Sequence, residues 1–227
     1  VMDMNDCNVI VFSSSATIYK PQLNKKLKEY SILEPINSYG NTKLSIEKFL
    51  NDVFKGSPKK WRIANLRYFN PVGSHKSGLL GEDPKGTSSN LFPTLVKVLQ
   101  KKIDKLRIFG NDWPTHDGTC IRDYIHVVDL AESHVAALDY LYKNTPQIVS
   151  MNIGTGKGTS VLELVNKFSE VINFKLPFCF DNRRKGDTPY LVADNRLALE
   201  LLEWKPNYLI DDMCKDTWNW LLKNPRV

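Results

Sequence analysis

Asn8-Val-Ile-Val-Phe-Ser13 is a short apolar run that ends in small polar residues, with Ser14 and Ser15 directly behind it. It shows no alternation, so it predicts a strand buried on both faces, as in a parallel sheet. Downstream, Leu44, Phe49, Leu50, Val53 and Phe54 recur at helical spacing and Gly56 follows, which predicts a helix over 38–55. Trp61 to Leu66 reads as a second strand. The alternation continues with helices over about 90–101, 127–142 and 160–172, the last opened by Thr159 or Ser160. Strands are expected at 106–109, at 149–153 and around Phe178 and Phe180, and closing helices near 195–202 and 211–222. Strands alternating with helices of this length make the chain α/β with a mostly parallel sheet.

In such sheets ligands sit beyond the carboxyl ends of the strands. Ser13-Ser14-Ser15, Tyr68-Phe69-Asn70 and Gly154-Thr155-Gly156 should therefore approach one site. The segments 70–89 and 110–123 are long for loops of a compact domain, and long ordered loops are more often functional than idle.

Composition narrows the class. Of 227 residues, 42% are hydrophobic, enough for a sizeable core. No run approaches a membrane span, and Val9 to Phe12 is too short for a signal peptide. The net charge of +6 is dispersed in pairs such as Lys25-Lys26 and Lys101-Lys102, which argues against nucleic acid and suits an anionic small substrate. Cys7, Cys120, Cys179 and Cys214 are far apart, with no zinc or disulfide spacing, so no metal is expected and the compartment reads as the reducing cytoplasm.

Tyr39 and Lys43 share one face of the first predicted helix. A free phenol, with a pKa of about 10, is a poor base near neutrality, and a nearby ammonium lowers that value. The pair alone means little, since about one Tyr-x-x-x-Lys is expected by chance in a chain this rich in both. Context sharpens it: Pro35 and Ser38 mark the helix start, and the Ser-rich strand end upstream can bring a hydroxyl to the phenol. A dinucleotide sheet usually opens with a G-x-G-x-x-G turn, and none is found here. Gly154-Thr-Gly-Lys-Gly158 is the one rival as a phosphate cradle, but it lacks the third glycine spacing and reads better as a structural turn.

Phe12-Ser-Ser-Ser-Ala-Thr-Ile-Tyr19, Ser38-Tyr-Gly-Asn-Thr-Lys43 and Leu66-Arg-Tyr-Phe-Asn-Pro-Val-Gly73 together resemble the extended short-chain dehydrogenase/reductase superfamily, and within it the UDP-glucose (UDP-galactose) 4-epimerase family. Gly81-Glu-Asp-Pro84, Asn90-Leu91, Ile108-Phe-Gly-Asn-Asp112, Asp117-Gly-Thr119, Arg122-Asp-Tyr-Ile-His-Val127, Asn152-Ile-Gly-Thr-Gly156 and Arg183-Arg-Lys-Gly-Asp187 follow in order, so the resemblance spans about Asn8 to Trp220.

The resemblance implies a Rossmann-like parallel sheet with a smaller α/β substrate lobe. Residues 1–70 would be the remainder of an NAD-binding domain whose glycine-rich part is missing, and 71–227 mostly the nucleotide-sugar lobe, with 127–153 returning to the sheet. It implies NAD as cofactor, a UDP-sugar as substrate, a transient 4-keto sugar and a homodimer built on helices 40–55 and about 90–101. Tyr39 would be the acid and base, Lys43 would hold the nicotinamide ribose, and Ser15 would bond the sugar hydroxyl, with Thr17 as a second candidate. Ser13, Tyr68 and Phe69 fall on the cofactor side. Asn70, Asn90, Leu91, Arg107, Ile108, Phe109, Arg122, Arg184, Asp187 and Leu191 fall on the substrate side. Leu191, at the gate beside the sugar 2-position, puts strict glucose/galactose selectivity in question. Plainer roles stand beside these: Asn90 as a cap, Arg122-Asp123 as a local ion pair, Arg183 as a solvated neighbour, Tyr124 and His126 as structural. Decarboxylation, reduction or dehydration on the same scaffold, or a non-catalytic dinucleotide sensor, are the rival functions. Ala16-Thr17-Ile18 offers no carboxylate for dehydration. Val1 in place of Met and the absent glycine loop read as an N-terminal truncation, expected to bind NAD poorly, if at all, which leaves the activity of the chain itself open even where its full-length parent is an enzyme.

Overall fold

The computed structural model describes residues 1–86 and 90–225. The end of the first long loop, residues 87–89, lies outside them. In chain order the elements are β1 (Val9–Ser15), α1 (Ser38–Gly56), β2 (Arg62–Tyr68), β3 (Asn70–Val72), α2 (Leu91–Leu99), β4 (Leu106–Phe109), β5 (Ile121–Arg122), β6 (Tyr124–His126), α3 (Val127–Lys143), β7 (Gln147–Ile153), β8 (Thr159–Ser160), α4 (Val161–Ile172), β9 (Phe178–Asp181), β10 (Tyr190–Leu191), α5 (Arg196–Leu202) and α6 (Ile210–Lys223). Every strand and helix expected from the sequence is present. The short strands β3, β5, β6, β8 and β10 were not foreseen.

The central sheet runs β1-β2-β7, all parallel and in step: Ser13, Leu66 and Met151 share one row, Ser14, Arg67 and Asn152 the next, Ser15, Tyr68 and Ile153 the last. Because side chains alternate between faces, these rows alternate too. One face carries Val9, Val11, Ala64, Leu66, Met151 and Ile153 against α3 and α5, through Ala137, Leu141, Ala198 and Leu202. The other carries Ile10, Phe12, Ile63 and Ile148 against α1, through Ile46, Leu50, Val53 and Phe54, with Trp61 closing the base. Each such side chain fully removed from water contributes about 1.5–3 kcal/mol. A second core joins α2, α4 and α6 around Phe168, Leu95, Leu106 and Ile108, with β4 and β9 as a parallel pair.

Local chemistry sets the helix ends. Asn37, rather than Ser38, caps α1, its side chain accepting from the Gly40 amide at 2.8 Å. Ser160, rather than Thr159, opens α4, and its hydroxyl and the Glu163 carboxylate form a reciprocal capping box. Gly40 lets α1 approach closely: a Cβ there would lie 2.5 Å from the Thr17 carbonyl oxygen. The first turn of α1 thus rests directly on the 3-10 turn Ala16–Ile18 that follows β1.

Candidate active site

The ends of β1, β2 and β7 and the start of α1 meet at one edge of the sheet. Ser13, Ser15, Tyr39, Lys43 and Tyr68 come together there. Tyr39 is half exposed at 51%, and the Ser15 hydroxyl is near enough to its phenol to favour the ionised form. That hydroxyl also accepts from the Thr17 hydroxyl at 3.0 Å and the Thr17 amide at 3.2 Å. Lys43 donates to the Ser13 carbonyl at 2.8 Å and sits over the rings of Phe12 (5.2 Å) and Tyr39 (5.5 Å).

This geometry corrects one expectation. Lys43 was to lower the Tyr39 pKa, yet that pKa is raised, first by burial and then by neighbouring Tyr68, with the Ser15 hydrogen bond opposing.

Ser13 also meets His134 of α3, Oγ to Nε2 at 3.1 Å. His134 Nδ1 lies 2.9 Å from the Leu130 carbonyl, which can only accept, so Nδ1 carries the proton and Ser13 donates to Nε2 in the neutral ring. Tyr68 lies beside that imidazole, 6.3 Å between centroids. Phe69 is buried among Ala16, Leu27, Leu44 and Ala193, so its side chain is committed to packing and not to an open wall. Asn70 keeps a buried Oδ1 with no hydrogen-bond partner among the described residues.

A second group forms around Asp187. Arg184 donates to it at 2.9 and 3.3 Å and stacks over Phe109 at 4.6 Å. Arg122 reaches it at 3.8 Å and donates to the Thr188 carbonyl at 2.7 Å. Arg122 makes no ion pair with Asp123, contrary to the plainer reading. Asp123 is fully buried and accepts from Thr155, Gly156 and Ala193 amides at 2.8, 2.9 and 3.1 Å. Those bonds spend the amides of the Gly154–Gly156 turn, so it is a structural turn as read. Gly154 is required there, since a Cβ would lie 2.7 Å from Asp123 Oδ2. Arg183 is not merely solvated: it pairs with Asp112 at 2.8 Å and stacks on Trp113 at 4.1 Å.

The remaining candidates fall along β4 and α2. Ile108 is buried, so only its backbone can face a ligand along the edge of β4 not covered by β9. Arg107 is exposed and lies 3.6 Å from Asp181. Asn90 precedes α2 without a side-chain capping bond; its side chain instead bonds Glu82, and Leu91 begins the helix. Leu191 pairs with Arg122 and packs against the cluster that holds Phe69. Tyr124 is core, and His126 caps α3 by accepting from the Val128 amide at 3.0 Å while stacking on Tyr208, both structural roles as expected.

Residues 1–154 match the NAD dependent epimerase/dehydratase family. The chain belongs to this family. It is 48% identical over 225 residues to UDP-glucose 4-epimerase 4 of Oryza sativa subsp. japonica, covering 99% of this chain and 61% of that protein. It is 45% identical to the bifunctional UDP-glucose 4-epimerase and UDP-xylose 4-epimerase 3 of Arabidopsis thaliana, covering 97% and 63%. The crystal structure of the Stenotrophomonas maltophila UDP-glucose-4-epimerase with bound NAD and formylated UDP-arabinopyranose superposes with a TM-score of 0.94 at 43% identity, covering 99% of this chain and 66% of that one. The chain therefore spans under two thirds of the length of these relatives. The Rossmann-like α/β fold is that of the family.

The residues present at this edge fit the nicotinamide end of an NAD cofactor. The edge offers a phenol and a hydroxyl side by side, a fixed ammonium one turn behind them, and an orphaned buried amide oxygen at Asn70. Among the described residues no group of three or more His, Cys, Asp or Glu could hold a metal ion.

Which functional residues escaped the sequence reading? His134 sits in an ordinary amphipathic helix, Glu47 looks like a surface charge in the linear chain, and Arg67 shows no sign there of its buried partner. The i, i+4 step from Lys43 to Glu47 is the one signal that could have found Glu47.

Proposed function

We propose that this protein inverts C4 of a UDP-hexose, interconverting UDP-glucose and UDP-galactose with NAD as cofactor, and so serves galactose metabolism. The observation that carries the reading is the half-exposed Tyr39 phenol beside Ser15, with Lys43 anchored one turn behind on the Ser13 carbonyl. Tyr39 takes the proton from the sugar 4-hydroxyl and later returns it, while Ser15 bonds the same oxygen and relays the proton. NAD, when bound beside Ser13, Tyr68 and Lys43, would supply the reversible hydride chemistry at C4. Lys43 holds the nicotinamide ribose and stands 5.5 Å from the Tyr39 ring. Ser13 and Tyr68 line the nicotinamide side and Phe69 supports them from the core. Arg122 and Arg184 take the diphosphate, Asp187 the uridine ribose, and Asn70, Asn90 and Leu91 the sugar nucleotide. Arg107, Ile108 and Phe109 present the β4 edge to uracil. Leu191 leaves room beside the sugar 2-position, so an N-acetylated sugar is also accepted.

Product analysis tests the reading. UDP-galactose with excess NAD should give UDP-glucose, and Tyr39→Phe should lower kcat by about 10²–10⁴-fold. Unchanged UDP-galactose, with NAD shown by calorimetry to be bound, would overturn it.

We further assign residues 1–70 and 127–153 to the cofactor domain and the rest of 71–227 to the substrate lobe. A homodimer through α1 is supported by Phe49, 65% exposed on that helix, and light scattering would measure it. The four free cysteines suit a reducing cytoplasm, checked by cell fractionation. No described helix is long and apolar enough to cross a membrane.

A further inference from the structure

Three consecutive serines of β1 meet three residues of α1 spaced four apart. Ser15 faces Tyr39, the Ser13 carbonyl takes Lys43, and Ser14 donates to Glu47 at 2.5 Å. Residues 39, 43 and 47 form one stripe of the helix, each about 6 Å further along its axis. The first two contacts belong to the site. The third is buried: Ser14 is 0% and Glu47 6% exposed.

Glu47 is held from its other side as well. Arg67 of β2 grips it in a fork, Nε to Oε1 at 2.9 Å and Nη2 to Oε2 at 2.6 Å. Arg67 is fixed in turn by the Tyr19 hydroxyl at 2.9 Å and the Glu29 carbonyl at 2.8 Å. Tyr19 donates to Asn152 of β7 at 2.7 Å. All three strands thus bear on one carboxylate of α1.

Stability does not explain this arrangement. A buried ion pair costs heavily to desolvate, and well-packed apolar side chains of similar volume often do as well or better. Apolar packing holds a helix to a sheet but tolerates sliding and rotation. A carboxylate gripped by a guanidinium fork and a strand hydroxyl does not, because its bonds are directional. The position it fixes is that of the stripe carrying Tyr39 and Lys43 against the strand carrying Ser13 and Ser15.

We propose that Glu47 and Ser14 are positioning residues that set the register of α1 on β1, and through it the placement of Tyr39 beside Ser15. The proposal deepens the epimerase reading and rests on it for its effect on turnover, but not for its effect on Tyr39 itself.

The test is Ser14→Ala, which removes the bond from β1 while leaving the Glu47–Arg67 pair intact, with Glu47→Gln as the second variant. Two readouts are taken. The first is the ionisation of Tyr39, followed by phenolate absorbance as the difference between each protein and its Tyr39→Phe counterpart. The second is steady-state kinetics. Loss of the Ser15 contact, which now favours the phenolate, should move the Tyr39 titration to higher pH in both variants. In S14A kcat should fall about tenfold with KM unchanged, short of the ~10²-fold that a full ångström of misplacement can cost. Variants that melt earlier yet keep the Tyr39 titration of the parent would show a structural role only and overturn the proposal. A parent with bound NAD but no turnover, whose Tyr39 titration nonetheless shifts in S14A and E47Q, would overturn the epimerase reading and leave the positioning role standing.

Discussion

The two faces of the central sheet are built on opposite principles. The face under α3 and α5 is mainly apolar, from Val9 and Val11 through Leu66 and Met151 to Ile153, and turns polar only at β1, where Ser13 meets His134. The face under α1 changes along the same strands. It begins apolar, with Ile10, Ile63 and Ile148, becomes mixed at Phe12, Asn65 and Ser150, and ends wholly polar at Ser14, Arg67 and Asn152. One helix thus stands on a greasy foot at Leu50 and Val53 and a hydrogen-bonded head at Glu47, Lys43 and Tyr39. Burial that needs only adhesion is apolar, and burial that must aim a side chain is polar. The α3 face holds the sheet together, and the α1 face also aims the phenol.

The sharpest break in this comparison is Arg67→Met, set beside Leu141→Ala on the opposite face. Removing the guanidinium leaves Glu47 buried without its ion-pair partner and should cost about 3–5 kcal/mol. Adding Glu47→Leu to it should recover most of that loss, since an apolar pair replaces the ion pair. The recovered protein would be stable but, on the positioning argument, poorly aimed. Leu141, fully buried under the other face, should cost about 2–4 kcal/mol when cut to alanine, and no second change of charge should restore it. Urea unfolding of the four proteins measures all of this. A double variant no more stable than R67M would mean the polar head is held for stability after all.

The apolar half of this design was legible in the sequence, and the polar half was not. Buried strands announce themselves as unbroken runs such as Val9 to Phe12, and α3 by its apolar spacing. Tyr39, Lys43 and the Ser-rich strand end were legible because family motifs carry them in order. Glu47, by contrast, looks like any surface charge, and Arg67, though it stands in the Leu66–Gly73 motif, carries no sign there of its buried partner. What buries them is the pairing of β1, β2 and β7, which brings Ser14, Arg67 and Asn152 into one row from widely separated positions. No local pattern encodes that register. The strands β6 and β10 were missed for a related reason: two or three residues are too few to show a period. The direction in which Lys43 points was equally invisible, since spacing places an ammonium near a phenol but does not say which atom it faces.

The smallest predicted effect separates the faces by pH. The Tyr19 hydroxyl lies within the polar head, donating to Asn152 and accepting from Arg67, while the residue belongs to an apolar cluster with Leu27 and Phe69. Burial pushes its pKa up to about 12, against the opposing pull of Arg67. The folded value is therefore above the unfolded value of about 10. Below pH ~10 both states keep the proton and the folded protein has its full stability. Between about pH 10 and 12 the unfolded chain releases the proton and the folded one does not, so stability falls, by at most ~2.7 kcal/mol over two units. Tyr124 is also raised by burial and adds to the alkaline loss, so Tyr19→Phe should remove only part of it. The Y19F protein should be less stable at neutral pH, having lost two hydrogen bonds, yet its stability should decline less steeply above pH ~10. Leu141→Ala changes no titrating group, so its deficit should stay the same from neutral to alkaline pH. Urea unfolding across that range distinguishes the two. An equal alkaline slope in Y19F and the parent would mean that the Tyr19 phenol does not titrate inside a buried polar head, and the contrast between the faces would lose its electrostatic half.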